Sequence, residues 1–194
     1  MQKNIAVSVL GVRCEAAPRF TVHTSHFTLH NQTMTSATTI IKRYKNGGKV
    51  ELYKGVDRKA KDFSKILASC KHFAKQGEHT VILPKIHKDD PLYREIYKDL
   101  IGTVYEKKCP DFLVGNKFYE HEGFTTNNPK RAFLNMISRG RQQSNRIVLD
   151  DSGYDYHKVK RYVRNSAKGR HPDGKYPITE VWVLDRNANL IRLF

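Results

Sequence analysis

The sequence predicts a single α/β or α+β domain in which helices flank a mixed central β-sheet, preceded by a β-rich N-terminal extension. Three observations predict this class. The chain has 194 residues, a length typical of one domain. Hydrophobic residues make up 39% and charged residues 28%, as in globular proteins. From residue 62 onwards, helix and strand patterns follow the order α-β-α-β-β-α-β-α-β-β, which indicates a shared sheet.

The first 60 residues are expected to form the extension and one β-hairpin, and residues 61–194 the α/β domain. Nine of the nineteen residues from Thr21 to Thr39 are Ser or Thr, so residues 1–33 form an extension of unassigned role, and Met34 is an alternative start. Residues 39–44 and 49–53 are rich in β-formers and flank Asn46-Gly47-Gly48. This turn sequence predicts a hairpin, because it tolerates positive φ.

A helix is predicted from Asp62 to Gln76, with Asp62 as its N-cap and Gly77 as its end. Apolar residues recur at helical spacing and form one inward face. These residues are Phe63, Ile66, Leu67, Cys70, Phe73 and Ala74. A short buried strand over 79–83 follows, and Pro84 ends it. A second helix begins at Asp90-Pro91, and its inward residues are Leu92, Ile96 and Leu100.

The remaining elements end in a closing hairpin and include one strongly basic helix. The helix that begins at Asn128-Pro129 follows the rule of a cap followed by proline. In chain order the predictions are strands over 111–114 and 117–122, a helix from Asn128, a strand over 146–149, a basic helix over 156–167, and strands over 178–184 and 190–194.

Charge and cysteine content restrict the class of function. The chain has 35 Lys and Arg against 19 Asp and Glu, a net charge of +16, which indicates a polyanionic partner. No stretch approaches the ~18 apolar residues of a transmembrane helix. A membrane surface stays an alternative for so basic a chain, but the ten Tyr and nine Phe suit nucleic acid at least as well, and no membrane partner is predicted. The three cysteines are odd in number, widely spaced and without a C-x-x-C motif. A disulfide scaffold and a zinc ribbon are therefore poor interpretations, and a reducing cytoplasm fits.

Three carboxylates are predicted to converge on one hairpin. If Gly115-Asn116 is a two-residue type II′ turn, Val114 pairs with its partner three residues on, and Asp111 lies directly opposite Glu120. Directly paired side chains share a face with Cβ atoms ~4.5–5.5 Å apart. Glu122, two residues further on, shares that face.

Like charges placed opposite one another destabilise a sheet, so this placement calls for compensation. A divalent cation such as Mg²⁺ is one form of compensation, with Asp111, Glu120 and Glu122 as its ligands. Such an ion activates water and stabilises the leaving oxygen of a phosphodiester. The alternative is a solvated edge hairpin whose acids pair with nearby Lys or Arg. Strand alternation places His121, a candidate base, on the opposite face.

The stretch Pro110-Asp111 … Glu120-His121-Glu122 resembles the core of PD-(D/E)XK nucleases, and the order of the surrounding elements matches that fold. The strings PDFLVGNKFYE, NPKRAFLNMISRGRQQSNRIVLD and ITEVWVLDRNANLIRLF also resemble the C-terminal toxin domains of contact-dependent inhibition CdiA proteins, which cleave tRNA. The resemblance covers about residues 62–194. It implies that Asp111 and Glu120 bind metal and that an immunity or antitoxin protein is a partner.

One departure from the family pattern concerns the lysine expected two positions after the glutamate, where this chain has Glu122. That lysine orients the attacking water or neutralises charge in the transition state. Glu122 cannot supply a cation, so it acts as a further ligand or a nearby Arg139 or Arg141 supplies the charge. A metal-independent ribonuclease with acid–base chemistry is the other alternative. Gln143 is a further catalytic candidate, placed to hold substrate or water.

The phosphate-binding surface is expected between residues 125 and 175, which carry 12 Lys and Arg against 4 Asp and Glu. Contacts to phosphate give affinity without sequence preference. A solvated charged face is the alternative. The candidate nucleic-acid-binding residues are Arg139, Arg141, Lys158, Lys160, Arg161, Arg164 and Lys168.

The sequence thus predicts a metal-dependent nuclease of toxin type acting on nucleic acid, with RNA, including tRNA, favoured over DNA. Two other classes stay open. A non-catalytic nucleic-acid-binding protein would need only the basic face. A toxin-like interaction module bound by an immunity protein would have no need of a charge of +16.

Overall fold

Eight strands form one mixed sheet in which neighbours in the chain are also neighbours in the sheet. The computed structural model describes residues 37–124, 128–150, 154–167 and 176–193. Strands two and three, five and six, and six and seven pair in parallel, and the other adjacent pairs are antiparallel. The chain is therefore α+β with helices flanking a mixed sheet, as the sequence predicts.

The elements follow the predicted order. The strands are β1 (Thr38–Arg43), β2 (Lys49–Tyr53), β3 (His79–Ile82), β4 (Phe112–Val114), β5 (Lys117–Glu122), β6 (Arg146–Asp150), β7 (Glu180–Leu184) and β8 (Leu190–Arg192). The helices are α1 (Phe63–Lys75), α2 (Pro91–Ile96), α3 (Pro129–Gly140) and α4 (Tyr156–Ala167), with a 3-10 turn at Lys98–Leu100.

The two predicted N-cap residues, Asn128 and Asp62, differ in their hydrogen bonding. Asn128 caps α3, since its side chain accepts a hydrogen bond from the backbone N–H of Arg131. Asp62 occupies the N-cap position of α1, but its side chain makes no cap hydrogen bond.

The second predicted helix is shorter than its apolar pattern suggests. It ends where the buried Tyr97 donates a hydrogen bond to the Pro84 carbonyl, and a 3-10 turn continues the chain.

The two faces of the sheet are covered by different helices. Helix α1 packs its predicted apolar face, including the fully buried Cys70, against one face through residues such as Phe112 and Val148. Helices α2, α3 and α4 cover the opposite face, where Leu113 and Ile147 point. Side chains on both faces of the hairpin in residues 111–122 are therefore buried.

The N-terminal hairpin is joined to the sheet of the following domain. Strand β2 runs parallel to β3, with Val50 opposite Thr80, so the hairpin extends the sheet. The division of the chain at residue 60 stays a prediction, and residues 1–33 lie outside the described part. Across the ranges that the structure describes, no helix has the length and apolarity to cross a membrane.

Candidate functional site

The register of the central hairpin is the one the sequence predicts. Gly115 has φ of +58° at the first turn position, as a type II′ turn requires. Val114 pairs with Lys117 and Phe112 with Tyr119. The regular pairing ends at Phe112, and beyond it the backbone N–H of Asp111 still donates to the Tyr119 carbonyl of β5 over 3.0 Å. This register sets Asp111 beside Glu120.

The three acids share one buried face. Glu120 and Glu122 pair with Ile147 and Leu149 of β6, which point into the core under α3 and α4. Asp111 is 3% exposed and Glu120 8% exposed. One Asp111 oxygen, Oδ2, accepts the backbone N–H of His121 over 2.8 Å. Carboxylates this deeply buried need neighbouring cations, hydrogen bonds or protons.

Lys85 is the cation beside Asp111 and Glu120. Its Nζ lies 2.9 Å from Oδ1 of Asp111 and 3.5 Å from Oε2 of Glu120, and it also donates to the Cys109 carbonyl. The lysine side chain itself is 56% exposed. It therefore reaches from the surface into the acidic cluster.

Sequence reasoning missed Lys85 because its position depends on a strand pairing that the sequence leaves open. Strand β3 pairs antiparallel with β4, and the backbone N–H of Leu83 donates to the Asp111 carbonyl. The chain beyond β3 is thus held alongside the residues that precede β4. A lysine directly after Pro84, at the end of a buried strand, was the available signal.

The pKa values of Glu120 and Lys85 are both raised in this cluster. The rise favours the neutral form of the glutamate and the charged form of the lysine. Burial raises the pKa of Glu120 well above its usual range, and the neighbouring Asp111 raises it further, while Lys85 opposes the rise. Burial alone would lower the pKa of Lys85, but the carboxylates of Glu120 and Asp111 raise it above its usual value. Lys85 accordingly stays charged at neutral pH.

Glu122 has its own cation. The guanidinium of Arg139 donates from Nε to Oε2 of Glu122 over 2.9 Å and from Nη2 to the Gly123 carbonyl over 3.0 Å. Burial raises the pKa of Glu122, although the hydrogen bonds from Arg139 lower it. Of the two arginines expected to replace the missing lysine charge, Arg139 does reach the acids.

The other arginine of this segment lies elsewhere. Arg141 is 4% exposed, and its guanidinium donates to the Tyr176 carbonyl, so it is buried instead of lying on a phosphate-binding surface. Gln143 is half-buried after the end of α3, and in the described structure no hydrogen bond joins its side chain to the acids. Its neighbour Ser144 donates to the Phe118 carbonyl over 2.8 Å and fixes the start of β6 against β5.

His121 lies on the opposite face of the sheet from the acids, as strand alternation predicts. It is 4% exposed, and neither ring nitrogen has a hydrogen-bond partner. Burial lowers the pKa of His121 below its usual value, against the opposing effect of nearby acids such as Asp111 and Asp150. The side chain is thus separated from the acidic cluster by the sheet itself.

The basic helix presents cations to solvent. Val159 and Val163 of α4 are fully buried, so the opposite side of the helix is exposed. Its cations are Lys158, Lys160, Arg161 and Arg164. Lys160 is half-buried, with its Nζ 5.7 Å from the centroid of the Tyr156 ring. Lys168 lies outside the described residues.

The residues fit a metal ion only in part. Mg²⁺ takes one or two carboxylates and completes its shell with water and substrate phosphate. Asp111 and Glu120 supply two carboxylates, and the buried Oε2 of Glu120 has no hydrogen-bond partner, although Nζ of Lys85 lies 3.5 Å from it. Both oxygens of Asp111 already have protein partners. Glu122 is engaged by Arg139. Among the described residues, no three His, Cys, Asp or Glu side chains are grouped to hold a metal ion.

Comparisons with known proteins give a distant likeness. No protein family model and no curated protein matches the chain. Among solved structures, it is similar to the CdiA-CT/CdiI toxin and immunity complex from Burkholderia pseudomallei. The match has 17% sequence identity and a TM-score of 0.43, and it covers 70% of this chain and 86% of that chain. At this distance, the assignment of function depends on the residues themselves.

Proposed function

We propose that the protein is a nuclease of toxin type that hydrolyses phosphodiester bonds in nucleic acid, with RNA favoured over DNA. The observation that carries the proposal is the position of Lys85, whose ammonium lies within 3.5 Å of both Asp111 and Glu120. A metal ion held by carboxylates and a lysine or arginine beside it both stabilise the charge that develops in phosphoryl transfer. The chain lacks a lysine two positions after Glu120, and Lys85 supplies the cation from another part of the sheet.

In this proposal each residue of the cluster has a separate task. Asp111 and Glu120 would hold a divalent cation, and that ion would supply activation of water and stabilisation of the leaving oxygen. Lys85 keeps its charge beside both acids and is exposed enough to meet a phosphate oxygen. Arg139 neutralises Glu122, so that Glu122 does not repel the substrate phosphate.

The substrate is held through its backbone by the exposed cations of α4. Lys158, Arg161 and Arg164 lie on the side of the helix away from its buried valines. Contacts of this kind release counterions, so affinity falls steeply as salt rises. Replacement of Arg161 and Arg164 by glutamate should therefore weaken binding to all sequences alike.

The test is incubation with total tRNA and with plasmid, each in Mg²⁺ or EDTA. Wild-type protein should cleave in Mg²⁺ only, and Glu120→Gln should abolish cleavage while it leaves binding intact, because Gln keeps the shape and removes the charge that holds the ion. Lys85→Met should also lose activity, whereas Lys88→Met, at an exposed lysine outside the cluster, should not. Cleavage that persists in EDTA and in Glu120→Gln would favour metal-independent acid–base chemistry.

A second candidate is a non-catalytic nucleic-acid-binding protein, and the burial of the acids favours it. Asp111 is 3% exposed and both of its oxygens already accept protein partners. Such a cluster can serve to hold β3, β4 and β5 together. Salt-dependent binding without cleavage of tRNA or plasmid in Mg²⁺ would select this candidate. An immunity-type partner protein stays a prediction in both cases.

A further inference from the structure

A groove of about 390 Å³ lies between α1 and the turn that joins β7 to β8. Helix α1 covers the face of the sheet opposite to the acidic cluster, so this groove is a different site. Its size falls within the range of small-molecule sites. The backbone N–H of Leu190 approaches Nδ1 of His72 at 3.4 Å and links the two walls.

The charged side chains that line the groove are all positive. Its cations are Lys71 and Lys75, which follow one another at i and i+4 on α1 and are both exposed. None of the described residues that line the groove is acidic. By contrast, the groove beside Lys88 also contains Asp89.

The chain segment that contains α1 is also rich in basic residues. Residues 37–77 contain eleven Lys and Arg against three Asp and Glu. The side chain of Asn46 donates to the Lys75 carbonyl over 2.8 Å and ties the turn of the first hairpin to the end of α1. The lysines of the groove are separate from the cations on α4.

The walls and floor of the groove also suit a planar, partly apolar group. Leu67 and Ala68 are half-buried and provide an apolar floor. Across from them, the turn is fixed because Oδ1 of Asp185 accepts the backbone N–H groups of both Asn187 and Asn189. A wall of amides, an apolar floor and two lysines match the polar edge, the apolar face and the phosphate of a nucleotide.

We propose that this groove binds one nucleotide unit of a nucleic-acid strand, with the phosphate at Lys71 and Lys75 and the base over Leu67 and Ala68. It is a second contact for the polyanion, on the face of the sheet away from the acidic cluster. The inference rests on the nucleic-acid-binding half of the proposed function and is independent of hydrolysis.

Nuclear magnetic resonance titration tests the groove directly. Adenosine monophosphate should shift the backbone amides of residues 67–75 and 187–189, and it should bind more tightly than either adenosine or inorganic phosphate. Equal affinity for inorganic phosphate would overturn the nucleotide assignment, because the base would contribute nothing. Equal affinity for adenosine would overturn the phosphate assignment, and the absence of shifts at these amides would overturn both.

Charge variants extend the test to a strand. In EDTA, a single-stranded oligonucleotide should bind Lys71→Glu/Lys75→Glu with a salt slope lower by about 0.7–1, the value for the one phosphate that the two lysines hold together. Lys88→Glu, at the mixed-charge groove, should leave the slope unchanged. Lys71→Gln/Lys75→Gln keeps the inference testable if charge reversal impairs folding. An unchanged slope in both double variants would overturn it. Because no cleavage is measured, inactivity of the enzyme cannot produce this result.

Discussion

Replacement of Lys85 by Met tests the acidic cluster most sharply. The substitution removes the ammonium 2.9 Å from Asp111 and 3.5 Å from Glu120 but keeps an unbranched side chain of similar length. Asp111 is 3% exposed and Glu120 8% exposed, so water replaces the lost cation poorly. Two buried carboxyls are then left to repel one another.

The magnitude follows from the contacts. A hydrogen bond to a charged group contributes about 1.5–3 kcal/mol. The lysine is more than half exposed, and solvent screening reduces its effect, so a loss of about 1–2 kcal/mol is expected. With a urea slope of about 2 kcal/mol/M, the unfolding midpoint should fall by about 0.5–1 M. If the protein is a nuclease, cleavage should fall by about 10²–10³-fold, the effect of removing one electrostatic contact to the transition state.

The assay is urea unfolding of the wild type, Lys85→Met, Lys85→Arg and Lys88→Met at neutral pH. Lys85→Arg keeps the charge and should recover most of the stability, and Lys88→Met should match the wild type. The reasoning would be refuted if Lys85→Met and Lys88→Met had the same midpoint, since the ammonium would then stabilise nothing. Loss of stability with full cleavage would assign Lys85 a purely structural role.

Three further predictions concern stability. Glu120→Gln should be neutral or stabilising by up to about 1 kcal/mol in thermal unfolding, because it removes one of the converging carboxylates; a loss above about 2 kcal/mol would contradict this. Gly48→Ala should cost about 3 kcal/mol or more in urea unfolding, because its Cβ would lie 1.9 Å from the Ala74 carbonyl oxygen. Gly47→Ala, with φ of +89° and open space around it, should cost only about 1–2 kcal/mol, and equal losses would disprove the clash. Burial would raise the pKa of Glu180, but hydrogen bonds from Tyr119, Trp182 and Arg146 lower it below 4.5. The charged carboxylate therefore stabilises the fold above that pH, and this stabilisation is lost as the pH falls further. Glu180→Gln should therefore be less stable than the wild type at pH 7, and in acid unfolding experiments the two should converge once the pH has fallen through the lowered pKa of Glu180.

The local elements could be predicted because each depends on nearby residues. Helix α1 is recognisable from apolar residues at helical spacing, and the start of α3 from Asn128 followed by proline. The register of the central hairpin follows from a two-residue turn at Gly115-Asn116. Turn geometry and strand alternation are local properties, so the shared face of the three acids followed from the sequence, with His121 on the other side.

The composition of the site around those acids could not be predicted. Arg139 was a candidate for the missing charge, but the sequence could not distinguish it from Arg141, which is two residues away and buried. Residues two apart on one helical segment point in different directions. Only the packing of α3 on the sheet decided that one guanidinium meets Glu122 and the other meets the Tyr176 carbonyl.

The sequence by itself thus determined the elements, their order, the hairpin register and the charge of the chain. The tertiary structure decided which distant residues meet. Antiparallel pairing of β3 with β4 brings Lys85 to Asp111, and packing of the β7–β8 turn on α1 brings Leu190 to His72, 118 residues away. Such contacts depend on the strand order of the whole sheet. Periodicity and capping act within a few residues and carry no information about that order.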